Sequence, residues 1–447
     1  MNGFNGCNDI IEEDVKIFIG SIIHCTKPFV LEVIEDGFVI VEGKKIIVVN
    51  KNISQLENVK NQLNITSCKE IRLTKTQLLI PGLIDTHIHA PQYPNVGLGY
   101  DKPLLEWLEH YTYKLERKFR DQKLSKAVFN AVVKKTLSYG TTTATYFASL
   151  FGNSSLLLAD AAIQHGQRAF VGKINMTKLA PDDYIETPQE TVENTIKFIN
   201  EVNFRGCDRV KPIITPRFAP SLEFETMEQL AEIARENNLN IQTHISENKE
   251  EIKLVKALFR SSSYASVYYQ SGLLTPKTVL AHGVHLTDEE LTLLAQTGSS
   301  ISHCPDSNTC LKSGLCDVKR LVSNGIKVGL GTDVSGGPSP SIIQAMRSAI
   351  QTSIHISHSK EDYDPLTYCD VFYLATLGGA EALSLQNKIG NFEEGKDFDA
   401  LIIDADVEDS AADYFVDCNC LELLQKFVFL ADNRNIQQVY VSGKQVV

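Results

Sequence analysis

Apolar positions between about residue 78 and residue 333 follow two alternating patterns. Short runs rich in β-branched residues alternate with longer segments in which apolar residues return every three to four positions. Such alternation is typical of a parallel sheet built from βα units, so the fold class is predicted to be α/β. The predicted strands cover residues 83–89, 141–147, 169–175, 210–217, 240–244, 278–282, 299–303 and 327–333. The predicted helices between them include residues 104–119, 125–139, 226–238 and 288–296.

The number of predicted strands decides the architecture. Eight strands separated by helices match a (β/α)8 barrel of the TIM type in number and spacing. An open, doubly wound sheet is the alternative that this pattern leaves. In a barrel the carboxyl ends of the strands converge on one face, and catalysis takes place there.

Both ends of the chain have alternating patterns that predict short strands outside the barrel. They cover residues 16–23, 38–41, 45–49 and 70–73 before the barrel, and 400–404 and 439–447, with a turn at Ser442-Gly443, after it. Neither end is large enough to bury a core alone, so we expect the two to pair into a small β-sandwich layer beside the barrel. The predicted division is therefore 81–390 for the barrel, with 1–80 and 391–447 forming the small β domain.

Composition restricts the classes of partner. Hydrophobic residues make up 43% of the 447 positions and charged residues 22%, which is the profile of an ordinary globular protein. The formal net charge of -12 argues against nucleic acid or an anionic membrane as the main partner, because either would need a basic face. A small neutral ligand fits this charge better.

The start of the chain and its cysteines indicate the compartment. Acidic residues occupy several positions between residues 9 and 14, where a secretory signal would be basic and then apolar. The ten cysteines are scattered without paired short spacings, which favours reduced thiols and a cytoplasmic location. The most apolar stretch near the start, residues 17–34, is interrupted by His24, Lys27 and Glu32, so no transmembrane segment is expected.

Polar residues occupy the ends of several predicted strands, and four of them are predicted to bind one metal ion. His87 and His89 are two apart in the first strand, so their side chains leave the same face and can reach one ion. His244 ends the fifth strand and Asp333 the eighth. Zn²⁺ accepts such ligands and keeps a position open for water, whose pKa it lowers from about 15.7 towards about 7. His282, at the end of the sixth strand, is predicted to hydrogen-bond that water.

The fourth strand indicates that the site holds a single ion. A pair of metals usually needs a bridging group such as a carboxylate or a carbamylated lysine. The fourth strand ends in Pro216-Arg217 without a lysine at its tip, and Lys211 lies near its beginning. One zinc ion per subunit is therefore predicted.

Glu247 lies three residues beyond His244 and is predicted to move protons during hydrolysis of a ring amine. That reaction needs a proton on a ring nitrogen and then one on the departing amine, and a carboxylate near the metal can supply both. Asp333 is a candidate to accept the proton of the attacking water. The alternative role for Glu247 is an acid at the N-terminus of the following helix, where the helix dipole favours a negative charge.

Three further residues are candidates for binding a heteroaromatic ring. Arg217 offers a forked donor for a ring carbonyl, and Phe218 offers an aromatic face. Gln92 carries an amide that can both donate and accept. A substrate without a carbonyl would leave a buried guanidinium unpaired at a cost of several kcal/mol, so Arg217 is expected to discriminate among ring amines.

These candidates lie in six motifs that resemble those of guanine deaminases, within the amidohydrolase superfamily. The motifs are Pro-Gly-Leu-Ile-Asp-Thr-His-Ile-His-Ala-Pro-Gln-Tyr (81–93), Thr-Pro-Arg-Phe-Ala-Pro-Ser (215–221), His-Ile-Ser-Glu-Asn (244–248), Ala-His-Gly (281–283), His-Cys-Pro-Asp-Ser-Asn (303–308) and Gly-Thr-Asp-Val-Ser-Gly-Gly (331–337). The resemblance runs through the barrel and, more weakly, both terminal segments. The residues around Gln92, Arg217-Phe218 and Glu247 narrow the resemblance from the superfamily as a whole to guanine deaminases.

The resemblance implies hydrolysis of the 2-amino group of guanine to xanthine and ammonia in purine breakdown or salvage, by a homodimer with one zinc ion per subunit. By position, Arg217 would bind the purine carbonyl, Gln92 a ring nitrogen, and Phe218 the face of the ring. The metal-side residues expected to contact the substrate are His89, His244, Glu247 and Asp333. Two positions depart from the family pattern, since Asp306 stands where Asn is common and His285 where an aromatic residue is expected.

Two alternatives to guanine deamination stay open on the sequence. An amidohydrolase acting on another ring amine, such as an adenosine-like, cytosine or triazine substrate, would use the same metal chemistry. An inactive barrel used as a scaffold would be expected to lose ligands, and every expected ligand is present. The other zinc deaminase design, with His-x-Glu and Pro-Cys-x-x-Cys, is absent from the sequence, and Cys304, Cys310 and Cys316 are too widely spaced for a structural zinc site.

Overall fold

A computed structural model describes residues 15–447 of the chain. Residues 1–14, with the acidic positions between 9 and 14, lie outside the described residues. The strands outside the barrel are β1 (Val15–Lys27), β2 (Val30–Glu42), β3 (Lys45–Asn50), β4 (Lys69–Arg72), β5 (Gln77–Pro81), β16 (Ala400–Asp404), β17 (Ile436–Val441) and β18 (Lys444–Gln445). The barrel strands are β6 (Leu83–His89), β7 (Thr141–Phe147), β8 (Arg168–Gly172), β9 (Ile174–Asn175), β10 (Val210–Pro212), β11 (Thr215–Pro216), β12 (Ile241–Ile245), β13 (Thr278–His282), β14 (Ser300–His303) and β15 (Lys327–Leu330).

Most of the α-helices follow barrel strands, whereas the first and the last lie between strands outside the barrel. The helices are α1 (Leu56–Gln62), α2 (Leu104–Trp107), α3 (Tyr113–Glu116), α4 (Gln122–Ser138), α5 (Gly152–His165), α6 (Pro188–Phe204), α7 (Phe224–Glu236), α8 (Lys249–Phe259), α9 (Tyr264–Gln270), α10 (Asp288–Thr297), α11 (Pro305–Cys310), α12 (Val318–Ser323), α13 (Ile342–Ser357), α14 (Tyr368–Ala375), α15 (Leu377–Ala382) and α16 (Cys420–Leu430). None of the helices in residues 15–447 combines the length and apolarity needed to cross a membrane.

Hydrogen bonds join the barrel strands into a closed ring. β6, β7, β8 and β10 pair in parallel in one sheet, and β12, β13, β14 and β15 in another. Ile214 connects the two sheets on one side, because its N–H donates to Asn240 O and its carbonyl accepts from Gln242 N. On the other side Asp333 N donates to His87 O over 2.9 Å, and His89 N donates to Val334 O over 3.1 Å. The closed ring agrees with the predicted barrel and is inconsistent with an open, doubly wound sheet.

The helix α6 shows how the local sequence forms the outer layer. Thr187 caps it in a capping box with Glu190, and Pro188 occupies the first turn, where a missing N–H costs nothing. Its buried residues recur at helical spacing and face the sheet. These are Thr191, Thr195, Phe198, Ile199 and Val202.

Two predicted elements are interrupted in the structure. The third strand is split into β8 and β9 around Lys173, and the fourth into β10 and β11. The predicted helix 104–119 is broken into α2, a π-helical turn at Leu108–Thr112, α3 and a 3-10 turn at Arg117–Arg120.

The two terminal segments share one eight-stranded sheet, as the sequence predicts. Its order is β18-β17-β16-β5-β1-β2-β3, with β4 paired to β1. β5 and β16, which pair antiparallel, join the N-terminal strands to the C-terminal ones. The predicted turn connects β17 to β18, and both of its residues, Ser442 and Gly443, have positive φ as two-residue hairpins of this kind require. The sheet curls, since the rings of Phe18 in β1 and Tyr440 in β17 pack edge to face with centroids 5.0 Å apart although two strands lie between them.

A buried ion pair fastens the barrel to the terminal sheet. Arg168, which begins β8, lies 2.9 Å from Asp399 and 3.1 Å from Asp397, just before β16. It also donates to Ser442 Oγ in the β17–β18 turn. All three charged groups are buried, and Asp397 also pairs with Lys45 over 2.9 Å, so the ion pairs replace the water that these groups have lost.

We predict that Arg168→Met lowers the free energy of unfolding by about 3–5 kcal/mol, because the buried carboxylate of Asp399 loses its ionic partner and that of Asp397 keeps only the more exposed Lys45 and Lys388. Urea unfolding followed by circular dichroism measures the change. Lys75→Met is the matched control, since it breaks an exposed pair with Asp417, and exposed pairs contribute little. Equal stability of both variants would contradict the proposed fastening.

Candidate active site

Four side chains from three strands converge at the carboxyl ends of the barrel strands. His87 and His89 leave the same face of β6, His244 lies in β12, and Asp333 follows β15. One donor atom from each lies within 4.8 Å of those of all the others. The structure therefore brings together the four residues that the sequence predicts to share an ion.

Backbone conformation helps to aim these groups. Asp333 has a φ of 46° and His282 a φ of 76°, in the left-handed region that residues other than glycine seldom adopt. Such conformations persist only where the surrounding structure holds them, and they cluster at functional sites. The hydrogen bond from Asp333 N to His87 O helps to keep Asp333 in this conformation.

The spacing of the four donors fits a small divalent cation. Asp333 Oδ1 lies 3.1 Å from His87 Nε2 and 3.4 Å from His89 Nε2, and the Nε2 atoms of His89 and His244 are 3.1 Å apart. Ligands about 2.0–2.1 Å from a tetrahedral zinc ion are separated by about 3.3 Å. Nδ1 of His244 lies 2.6 Å from Arg217 O, so this nitrogen donates its hydrogen and Nε2 presents a lone pair.

Burial and proximity set the protonation states of the group. Burial, followed by the charge of His87, lowers the pKa of His89 and of His244 well below the usual value. Burial alone would raise the pKa of Asp333, but His87, His282 and His89 hold it below its usual range. Neutral imidazole and ionised carboxylate are the forms that bind a metal.

A second pair of residues, His282 and Glu247, lies beside the first group. His282 Nε2 is 3.3 Å from Glu247 Oε2 and 3.8 Å from Asp333 Oδ2. Its Nδ1 lies 2.9 Å from Asn308 Oδ1, and Ser313 Oγ donates to Glu247 Oε1 over 3.2 Å. Asn308 therefore fixes the His282 ring and Ser313 fixes the Glu247 carboxyl group. The free Nε2 of His282 and Oε2 of Glu247 face the four donors.

Glu247 faces this site and does not serve the helix that follows it. α8 begins at Lys249, with Asn248 as its cap and Glu251 as the acid of the capping box. Asn248 and Glu251 therefore cap this helix, and Glu247 lies directly before its cap. Burial, and then the charge of Asp333, raises the pKa of Glu247 well above its usual value. A carboxyl group of this kind can carry a proton near neutral pH and release it.

A cavity opens in front of these groups. It contains about 430 Å³ of space not occupied by atoms, part of it open to solvent. His89, His244, Glu247, His282 and Asp333 line its metal side. Its apolar wall consists of Leu104, Trp107, Leu108, Phe218 and Leu311. Gln92 and Arg217 also line it, whereas His87 lies deeper.

Arg217 is already paired within the protein, contrary to one expectation. Its NH1 and NH2 atoms donate to Glu116 over 2.5 and 3.3 Å, and its guanidinium lies 5.1 Å from the centroid of the Tyr113 ring. Burial alone would lower the pKa of Arg217, but Glu116 raises it above its usual value. The expectation that a substrate without a carbonyl would leave this guanidinium unpaired is therefore wrong, because Glu116 neutralises it in every case.

Gln92 is also fixed by the protein. It lies in a 3-10 turn, Ala90–Asn95, that follows β6. Its Nε2 donates to Glu116 Oε1 over 2.8 Å, and its Oε1 accepts from Ser335 N over 3.2 Å. One N–H and one lone pair of the amide are left for the cavity.

The sequence model of the amidohydrolase family matches residues 78–446. The chain belongs to the amidohydrolase family. Guanine deaminase from Mus musculus is 44% identical over 438 residues, which cover 96% of each protein. The crystal structure of guanine deaminase from C. acetobutylicum with bound guanine in the active site matches at 35% identity, 97% and 100% coverage and a TM-score of 0.90. A zinc-bound adenosine deaminase from Xanthomonas campestris, at 21% identity, 96% and 92% coverage and a TM-score of 0.82, shows the fold alone.

These matches confirm the resemblance to guanine deaminases that the motifs indicate, and they agree with the TIM-type barrel. The two departures from the family pattern both have partners in this amidohydrolase. Asp306 accepts from Ser348 Oγ over 2.6 Å, and His285 Nε2 lies 2.7 Å from Ser313 O. His285 therefore holds the same loop residue that contacts Glu247.

Three residues of the site are not predicted from the sequence. Asn308 lies in the motif 303–308, which supports the family resemblance but gives Asn308 no predicted role. Ser313 and Glu116 lie in no motif. Glu116 is in a segment whose helical pattern gives no reason to single out one acidic residue among several.

We predict that His87→Ala lowers zinc affinity by more than about 100-fold, because loss of an outer partner of a ligand alone costs about 10–100-fold. The measurement is metal per chain by mass spectrometry, together with the rise in melting temperature when Zn²⁺ is added after chelation. His110→Ala, which removes an exposed histidine, is the control and should keep wild-type metal binding. Undiminished zinc binding by His87→Ala would contradict the site.

Proposed function

We propose that this amidohydrolase hydrolyses guanine to xanthine and ammonia. The proposal rests mainly on one cavity. Three of the four predicted metal ligands line it, as do Glu247 and the predicted ring-binding residues Gln92, Arg217 and Phe218. Its apolar walls suit a flat ring, and Arg217 and Gln92 suit the polar edge of that ring. The guanine deaminases that match almost the whole chain support guanine as the ring.

The reaction exchanges a C–N bond of guanine for a C–O bond. Water gives its oxygen to C2, the exocyclic amine leaves, and the protons of the water are shared between the product and ammonia. His87, His89, His244 and Asp333 would hold one Zn²⁺, which supplies a nucleophile at neutral pH by lowering the pKa of water. Side chains of the protein carry out the proton transfers and bind the substrate.

Glu247 is the proposed proton carrier. Its carboxyl group, with raised pKa, protonates the ring nitrogen next to C2 as the bond to oxygen forms. It then takes up the proton that Asp333 receives from the attacking water and delivers it to the departing amine. The hydroxyl proton left on C2 returns to Glu247 as the new carbonyl forms. Asp333 is ionised and accepts a proton from the attacking water. His282, between the two carboxylates, hydrogen-bonds the attacking water and steadies it.

The other substrate contacts come from the opposite side of the cavity. The N–H groups of Arg217 that Glu116 leaves free donate to the ring carbonyl of guanine. The remaining N–H of Gln92 donates to a ring nitrogen, and Phe218 packs against the face of the ring. His89 and His244 border the reacting carbon on the metal side.

The rest of the proposal concerns the whole molecule. It comprises one zinc ion per chain, a homodimer, a cytoplasmic location, a place in purine breakdown or salvage, and no nucleic acid or membrane partner. We also propose the division into a barrel of residues 81–390 and a small β domain of residues 1–80 and 391–447. The curl of the terminal sheet between Phe18 and Tyr440 supports a sandwich form for that domain.

We predict that the zinc-loaded protein releases ammonia from guanine much faster than from adenine, adenosine, cytosine or a triazine. Enzymatic detection of ammonia and the ultraviolet spectrum of xanthine measure the result. Reaction of another ring amine with inert guanine would keep the reaction class and reject the substrate. Failure of every amine with metal bound would favour an inactive barrel.

We predict that Glu247→Gln lowers kcat about 10²–10⁴-fold, the usual contribution of a general acid–base group. Zinc per chain should stay at the wild-type value, because Glu247 is outside the four-donor group. Glu250→Gln, three residues away and exposed on α8, is the matched control and should keep full activity. Wild-type turnover by Glu247→Gln would assign the proton transfer to another group.

A further inference from the structure

Glu116 is a fully buried carboxylate that joins three residues around the cavity. Its Oε2 accepts from Arg217 NH1 over 2.5 Å and from Tyr184 Oη over 2.8 Å. Its Oε1 accepts from Gln92 Nε2 over 2.8 Å and from Arg217 NH2 over 3.3 Å. Gln92 and Arg217, the two predicted hydrogen-bond donors to the ring, are thus both attached to this one side chain.

The contacts of Glu116 change what Arg217 presents to the cavity. Two of the five N–H donors of the guanidinium are used by the carboxylate, and the positive charge is balanced at hydrogen-bond distance. The remaining N–H groups are still donors, but they belong to a pair without net charge. Such a pair binds a neutral carbonyl and gives no extra attraction to an anion.

We infer that Glu116 is a positioning residue that makes the ring-binding side of this cavity selective for a neutral purine over its anionic product. The inference rests on the proposed function, because the product there is xanthine. Replacement of the amine of guanine by a second carbonyl leaves a ring N–H between two carbonyls, which ionises more readily. An unpaired Arg217 would retain the xanthine anion, and Glu116 prevents this.

The other ionisable groups that face the pair stay in one state or are common to all variants. Burial raises the pKa of Tyr113 and of Tyr184, and burial lowers that of His89, so these three stay neutral through the neutral range. Glu247, Glu251 and Asp333 also line the cavity. Their effect on ligand binding is the same with and without Glu116, so comparison of variants at each pH removes it.

The experiment measures xanthine binding to the zinc-loaded Glu116→Gln variant by inhibition and by calorimetry. We expect its affinity for xanthine to exceed the wild-type value by about tenfold or more at about pH 9, and by little at about pH 6, as one uncompensated charge at short range would produce. The KM for guanine, which ionises less readily than xanthine, should show a smaller change. Glu116→Asp restores the charge and should restore the wild-type pH dependence.

Two controls separate this role from a merely structural one. Tyr184→Phe removes a neutral hydrogen bond from the same carboxylate and should leave the pH dependence of xanthine binding unchanged. Glu109→Gln removes an equal charge from an exposed position of the same segment and should do the same. If Glu116→Gln does not fold, the double variant Glu116→Gln with Arg217→Met, which has no unpaired charge, should retain the wild-type pH dependence.

Unchanged or weaker xanthine binding by folded Glu116→Gln at about pH 9 would overturn the inference, as would a gain in anion affinity in the double variant. Neither result touches the proposed function. That function fails only if the wild-type protein does not release ammonia from guanine, which is measured first. Metal per chain is measured in every variant, so loss of zinc is not mistaken for loss of selectivity.

Discussion

The junction between the first and the last barrel strand is the constraint on which the site depends. Two main-chain hydrogen bonds join residues 87 and 89 to residues 333 and 334. The side chain of Asp85 adds a second connection, because it accepts from both the N–H and the hydroxyl of Thr332. Burial raises the pKa of Asp85 to about 7, while its bonds to Thr332 oppose the rise. Ring closure therefore places His87, His89 and Asp333 next to one another.

Buried charge is balanced differently at the site and elsewhere. Arg217 has Glu116, Arg168 has two aspartates, and Lys173 has Glu186 at 2.6 Å. Among residues 15–447, the ion-pair partners of Asp333 are histidines alone, and burial favours the neutral form of His89 and of its neighbour His244. A buried carboxylate with neutral partners is costly unless a cation joins it. This difference, more than the identity of the residues alone, marks the four-donor group as a place for a metal.

The sequence predicted those parts of the molecule in which local pattern and three-dimensional position coincide. Buried parallel strands appear in the sequence as apolar runs. The polar residues at the ends of these runs were therefore predicted from the sequence as site residues, namely His87, His89, His244, His282 and Asp333. β5 was not predicted, because Gln77–Pro81 merges with β6 across Gly82 into one apolar run. Asn308 in α11 and Ser313 just after it contact the site only in the folded chain, and no periodicity of the sequence encodes such contacts.

Glu116 could not be predicted because its segment departs from the α-helical period. In a regular α-helix, Glu116 would lie about 80° around the axis from Leu108, since eight residues exceed two turns by that angle. The structure has a π-helical turn at Leu108–Thr112, whose longer hydrogen-bonded loops rotate less per residue. The turn brings Glu116 back to the side of Leu104 and Leu108, which line the cavity. One irregular helix thus supplies both the apolar wall and the carboxylate that neutralises Arg217, and a regular helix of the same sequence would separate them.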